Sequence, residues 1–151
     1  MEETRLVQAT WDLSQCKFKI SGDGMKVLLE GLREGVFRGI KCPQCGTVYV
    51  PGPTFCRKCF IDIDEVVQVS DEGEVETYTV ELADVRGNPV EEPTISCMIK
   101  LDGADTWLIG VVEGIDWQKV HVGMRVKCVW KDASERTGSL SDYTRFVPIG
   151  D

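Results

Sequence analysis

Four cysteines in two pairs, Cys42-Pro43-Gln44-Cys45 and Cys56-Arg57-Lys58-Cys59, separated by ten residues, constrain this chain more than any other feature. Each C-x-x-C pair places two thiolates on one side of a tight turn. Two such pairs facing each other supply four soft ligands in a tetrahedron. Gly46 follows the first pair and turns the backbone without a Cβ penalty. Four sulfurs with no neighbouring histidine leave no open coordination position. The expected occupant is one structural Zn²⁺ held by Cys42, Cys45, Cys56 and Cys59, an ion that organises the chain and does no chemistry. Disulfides, a redox dithiol and a rubredoxin-like iron site are the alternatives that the spacing leaves open.

Composition narrows the class further. At 151 residues the chain suits one domain or two small ones, and 42% hydrophobic residues suffice for a packed core. No apolar run approaches the length that crosses a bilayer, and Met1-Glu2-Glu3-Thr4-Arg5 does not read as a signal peptide. Seven cysteines, an odd number with four at metal spacing, fit a reducing compartment, so a cytoplasmic protein is expected. The net charge of −8 is uneven. Residues 1–41 carry +1, and residues 42–60 carry +2 from Arg57 and Lys58 alone. Residues 61–151 carry eight basic and nineteen acidic side chains, a net −11. Such an acidic region repels a phosphate backbone, which argues against nucleic-acid binding, a common role of zinc ribbons.

Three segments follow from the pattern. Residues 1–35 hold a short alternation, Cys16, Phe18 and Ile20 against Lys17 and Lys19, then an amphipathic helix with Met25, Leu28, Leu29 and Leu32 at i, i+3, i+4 and i+7. The Ser21/Asp23 region begins that helix and Gly35 stops it. A helix this short must bury its leucine stripe, against its own domain or against a partner on which it docks. Residues 36–62 form the ribbon, in which Pro51-Gly52-Pro53 turns the chain between the two knuckles. Residues 63–151 read as all-β. Glu65–Ser70 is a first strand, Glu74–Asp84 a long one, and Thr94–Leu101, Trp107–Val112, Met124–Trp130 and Thr144–Ile149 follow. Asp116 caps a short helical turn over Trp117–Val120, and Asp132–Asp142 is a long polar loop with the composition of a mobile one. The fold class is mainly β: an N-terminal helix and a rubredoxin-like zinc ribbon, followed by a small oligonucleotide/oligosaccharide-binding (OB) barrel.

The order of these parts resembles the rubredoxin-like zinc-ribbon/OB-fold, acyl-CoA-associated proteins of the DUF35 family. The resemblance rests on Cys42-Pro43-Gln44-Cys45-Gly46, Pro51, Pro53, Cys56 and Cys59. Gly73-Glu74-Val75, Tyr78-Thr79-Val80, Pro93, Leu108-Ile109-Gly110 and Val122-Gly123-Met124-Arg125-Val126 add to it. It covers residues 22–149, and the order of the parts is more specific than the cysteine motif. The resemblance implies a non-catalytic subunit paired with a thiolase, a thiolase-like synthase or a thiolase-like aldolase, helping to form the partner's CoA-binding region or bridging consecutive enzymes. The chain also resembles the small subunit of two-component thiolases in anaerobic aromatic degradation, such as that of benzylsuccinyl-CoA. It departs from the family in Pro51-Gly52-Pro53-Thr54-Phe55, where Pro-Pro-Arg is usual, so a basic contact is lost there. Residues 1–20 have no counterpart.

The residues themselves suggest no active site. His121 is a lone histidine between two valines, Cys97 and Cys128 lie on apolar strand faces, and Glu91-Glu92 precede Pro93 in an expected loop. No nucleophile elbow or phosphate loop is present. Arg125, Lys127 and Lys131 share one strand face, either as solvated charges or as contacts for the phosphates of CoA or for a partner's acidic groups. Arg57 and Lys58 offset the charge of a zinc tetrathiolate and are also placed to meet a phosphate. Trp107, Trp117, Trp130, Phe37 and Phe55 could stack on bases, though core packing explains Trp107 and Trp130 more simply. The expected protein is a zinc-binding accessory subunit of a thiolase-like enzyme, with CoA or acyl-CoA at their interface. The competing classes are a nucleic-acid-binding OB protein and a stand-alone acyl-CoA-binding protein.

Overall fold

Hydrophobic spacing and turn chemistry place one helix and eight strands along residues 22–150, the part of the chain described by the computed structural model. The Cys16–Ile20 alternation lies outside the described residues. Helix α1 (Asp23–Glu34) forms where the four apolar residues recur at helical spacing, with Asp23 in its first turn favouring the positive end of the helix dipole. It ends at Gly35, where the N–H groups of Gly35 and Val36 return to the carbonyls of Leu32 and Gly31. No described helix is long and apolar enough to cross a membrane.

Strands β1 (Phe37–Lys41), β2 (Val48–Tyr49) and β3 (Glu65–Val69) make an antiparallel sheet in the order β2-β1-β3. The strand beginning at Glu65 was expected to open the barrel. Instead it pairs with β1, from Phe37 opposite Val69 to Lys41 opposite Glu65. Alternation fixes which side chains share a face, but not which neighbour completes the hydrogen-bond ladder.

The barrel is closed by β4 (Glu72–Ala83), β5 (Pro89–Leu101), β6 (Leu108–Val112), β8 (Tyr143–Pro148) and β7 (Arg125–Trp130), in that spatial order. Its pairings are antiparallel except β6 with β8, where Val112 faces Phe146. Strand β5 begins earlier than expected, so Glu91, Glu92 and Pro93 lie in a strand of a long β4–β5 hairpin and not in a loop. The turn of that hairpin is set by Asp84, whose Oδ1 accepts from the backbone N–H groups of Arg86 and Asn88.

Ribbon, helix and barrel share one core. Leu28, Leu32 and Phe37 are fully buried in the same cluster as the barrel residues Val75, Ile99, Val126 and Phe146. The ring of Phe37 stands 4.7 Å from Trp130, 5.6 Å from Tyr143 and 6.4 Å from Phe146. Leu28 and Leu32 are therefore buried inside this chain and cannot dock on a partner. Of the expected docking stripe, Met25 and Leu29 remain only partly buried. The N-terminal turn of α1 sits directly on the ribbon: a Cβ at Gly24 would lie 1.8 Å from the Gly52 carbonyl oxygen, so the approach needs glycine. From the barrel side, Asp105 Oδ2 accepts from Val48 N–H (2.8 Å). Thr106 Oγ1 accepts from Val50 N–H (2.7 Å) and donates to the Val50 carbonyl (3.0 Å), clamping β2.

The Asp132–Asp142 stretch is organised, contrary to its mobile-looking composition. It contains two short 3₁₀ turns, and Asp142 at its end is fully buried. Asp142 Oδ2 accepts from the N–H groups of Thr137 (3.0 Å), Gly138 (2.6 Å) and Ser139 (2.9 Å). The stretch is pinned over the C-terminal end of α1, where Arg33 donates to the Thr137 carbonyl and Arg136 to the Glu34 carbonyl. Arg136 also stacks over Trp130. Burial favours the protonated form of Asp142, but the three backbone donors, with Lys131 nearby, outweigh it and hold the carboxyl below its usual range.

Two outcomes follow from this packing. Phe37→Ala should cost about 3–5 kcal/mol, because it empties the contact between ribbon and barrel. Calorimetry should record a melting temperature lowered by roughly 10 °C, with helix, ribbon and barrel still melting together. Because the Asp142 carboxyl is depressed, its stabilisation is present above the usual carboxylate pKa of about 4 and is lost as pH falls through the folded value. Urea unfolding of the native chain and of Asp142→Asn should therefore differ most at pH 6 and converge towards pH 3.

Candidate metal centre

The two knuckles are built alike. In the first, Cys42 N–H bonds the Thr47 carbonyl and Gly46 N–H bonds the Cys42 carbonyl. In the second, Cys56 N–H bonds the Ile61 carbonyl and Phe60 N–H bonds the Cys56 carbonyl. These turns bring the Sγ atoms of Cys42, Cys45, Cys56 and Cys59 to within 4.8 Å of one another, as the sequence spacing requires. Cys45 and Cys56 are 3.6 Å apart at sulfur, close to the edge of about 3.8 Å that follows from tetrahedral Zn–S bonds of about 2.3 Å. All six described cysteines are free thiols, so no disulfide closes the ribbon.

The donor set fits a dication. The Cys45 thiol donates to Thr47 Oγ1 at 3.2 Å, and hydrogen bonding with the side chain and backbone of Thr47 holds its pKa below the ordinary value. For Cys56, burial raises the pKa, but hydrogen bonds from the Tyr49 hydroxyl (3.3 Å) and from the N–H groups of Cys59 and Lys58 bring it down to about 6. Burial and the neighbouring sulfurs push Cys59 up to about 12. Four thiols in this space cannot all ionise on their own; a bound Zn²⁺ would let them do so, and Cys42, Cys45, Cys56 and Cys59 would hold it. Such a site has no position left for substrate. Tyr49 and Thr47 support the sulfurs and were not singled out from the sequence; Thr47 stands just before β2 and Tyr49 on it, both buried directly after the first knuckle.

The second knuckle departs from the first at one position. Gly46 takes the left-handed backbone that ends the first turn (φ 75°), whereas Phe60 takes it in the second (φ 56°). A bulky residue there costs on the order of 1–2 kcal/mol. Phe60 is 80% exposed, with little cover from this chain, and Phe55 at the other end of the knuckle is about half exposed at 46%. Arg57 and Lys58 lie between them, both exposed and without an ion-pair partner among the described residues.

The other expected cations are not a free patch. Arg125 forms a bidentate pair with Asp102 (2.7 and 2.5 Å), which lowers the Asp102 pKa and raises that of Arg125. Lys127 lies 2.9 Å from Glu72 and 3.8 Å from Asp71, and Lys131 donates to Ser141 (3.1 Å). Carboxylates distant in sequence come beside Arg125 and Lys127 through the β4–β7 pairing and the turn after β5, so these two cations on the outer face are already ion-paired. Cys97 and Cys128 are buried, and burial pushes their thiols to about 11 and about 12. His121 is exposed, with Nδ1 3.0 Å from the Lys119 carbonyl.

This fold and cysteine site define a rubredoxin-like zinc ribbon joined to an OB-fold barrel. Residues 29–65 match the family model described as the rubredoxin-like zinc ribbon domain of ChsH2, and residues 66–131 match that of the ChsH2 C-terminal OB-fold domain. A curated relative, the DUF35 domain-containing scaffold protein of Methanocaldococcus jannaschii, is 29% identical over 114 residues, 74% of this chain and 80% of that protein. A solved DUF35-family protein of unknown function from Sulfolobus solfataricus aligns with a TM-score of 0.65 at 29% identity, covering 72% of this chain and 79% of that one. The solved Ltp2-ChsH2(DUF35) aldolase shares the fold, with a TM-score of 0.58 at 23% identity over 82% of this chain and 91% of that one. The chain belongs to the DUF35 family.

The ribbon's own core is small: Ile40, Cys42, Tyr49, Cys56 and Ile63. Metal binding worth on the order of 10–16 kcal/mol in zinc modules would substitute for it. The purified chain should carry one zinc, detectable by mass spectrometric metal analysis. Cys45→Ser should lose that zinc and the dispersed amide signals of residues 36–62.

Proposed function

We propose that this chain is a non-catalytic, zinc-stabilised accessory subunit of a thiolase-like or aldolase-like enzyme of acyl-CoA metabolism. The partner supplies the nucleophilic cysteine and the bases for thiolytic cleavage or Claisen condensation, and CoA or acyl-CoA binds at the interface between the two. The observation that carries the reading is the similarity to a DUF35 scaffold protein, which runs through 74% of this chain and 80% of that relative. The same fold occurs in a DUF35 chain of an aldolase assembly, which supports a partner of that kind. The chemistry of the described residues agrees. The clustered thiols are arranged as metal ligands, and the two outside the cluster are buried with raised pKa values, the opposite of what a nucleophile needs. The net −11 of residues 61–151, with Arg125 and Lys127 there paired to carboxylates, disfavours a nucleic-acid reading.

Affinity purification of the chain from its native host at low salt, followed by mass spectrometry, should recover a thiolase-like chain in a stoichiometric complex. Thiol release from acyl-CoA by the isolated zinc-loaded chain, or steeply salt-dependent binding to single-stranded nucleic acid, would overturn the reading.

A further inference from the structure

Six cations of the described residues are paired with carboxylates of the chain. Lys26 lies beside Glu30, Arg38 beside Glu34, Lys41 beside Glu65, Arg125 beside Asp102, Lys127 beside Glu72 and Arg145 beside Glu113. Arg57 and Lys58 are not, and their knuckle has no acidic residue between Cys42 and Phe60 to match them. Arg33, Lys131 and Arg136 also lack ion pairs but bond carbonyl or hydroxyl groups of the chain. Arg86, Lys100 and Lys119 lack them too, and none of these six has two exposed Phe, Tyr or Trp residues within three positions of it. Arg57 and Lys58 do, in Phe55 and Phe60.

Phe60 is the more informative of the two rings. Its backbone occupies the left-handed region in which the first knuckle uses glycine, and a Cβ at Gly46 would meet nothing within 4 Å. The turn therefore does not call for a side chain, and the chain offers this one little packing in return. A strained, exposed aromatic flanked by unmatched cations has the composition of an interface anchor, in which a ring fills a pocket and the charges meet its rim. Glycine would serve the knuckle better on its own account.

We infer that the tip of the second knuckle, Phe60 with Phe55, Arg57 and Lys58, is the anchor by which this chain docks on its catalytic partner, in an apolar pocket rimmed by carboxylates. The inference rests on the accessory-subunit reading above. The cations meet acidic side chains of the partner and not the phosphates of CoA, and the zinc-bound knuckle holds the ring in place.

The test measures the affinity of the purified partner for the zinc-loaded chain and two variants. Phe60→Gly should bind at least about tenfold more weakly while keeping its zinc and a melting temperature at or above that of the native chain, since the left-handed strain is relieved. Arg57→Glu combined with Lys58→Glu should weaken binding by a similar factor, more at low salt than at high salt. Native affinity in both variants would overturn the inference and leave the accessory role standing. So would intact complex formation with weakened CoA binding, which assigns the cations to the nucleotide phosphates. A lowered melting temperature in Phe60→Gly would make the ring a structural residue, and this too counts against an anchor. Failure of the native chain to bind any thiolase-like or aldolase-like chain removes both readings together.

Discussion

Everything in this fold meets at Phe37. It is the first residue of the ribbon's central strand, and its ring is surrounded by Trp130, Tyr143 and Phe146 of the barrel. Leu28 and Leu32 of α1 share its cluster. A short helix, a ribbon with five residues in its own core and a five-stranded barrel are each small for independent stability. Joined at one aromatic cluster, they bury enough apolar surface to hold a common arrangement.

The metal centre takes its place within that arrangement. Strand β1 runs from Phe37, in the shared core, to Lys41, next to the first cysteine ligand. One end of the strand is thus fixed by hydrophobic packing and the other by the sulfur cluster. The burial of Cys42 and Cys56, together with the spread of thiol pKa values across the cluster, sets the cost of gathering the ligands without a cation. The sulfurs organise the knuckles, while Phe55, Arg57, Lys58 and Phe60 around them stay exposed.

Much of this was legible in the sequence. The C-x-x-C spacing specified the sulfur cluster, the i, i+3, i+4, i+7 leucines specified α1, and alternation specified most barrel strands. The misses have physical reasons. Alternation is silent about partners, so β3 was placed with the barrel although it pairs with β1. The same periodicity that reveals an amphipathic stripe does not say what covers it, and Leu28 and Leu32 proved to be covered from within. Arg125 finds Asp102, twenty-three positions away, only because strand pairing brings them together. The order of the Asp132–Asp142 stretch depends on backbone N–H groups converging on one buried carboxylate, which composition cannot encode. Phe60 could have been noticed by aligning the two knuckles, since it stands where the first has Gly46.

The clamp of Asp105 and Thr106 on β2 carries a further consequence. It couples the backbone beside the first knuckle to the loop between β5 and β6, and the next residue in that loop is Trp107, about half exposed. Loss of order in the ribbon would free Asp105 and Thr106 from Val48 and Val50 and so alter the loop that carries Trp107. The barrel thus places a native fluorophore one residue from the contacts that hold the ribbon, at a distance in sequence from every cysteine ligand.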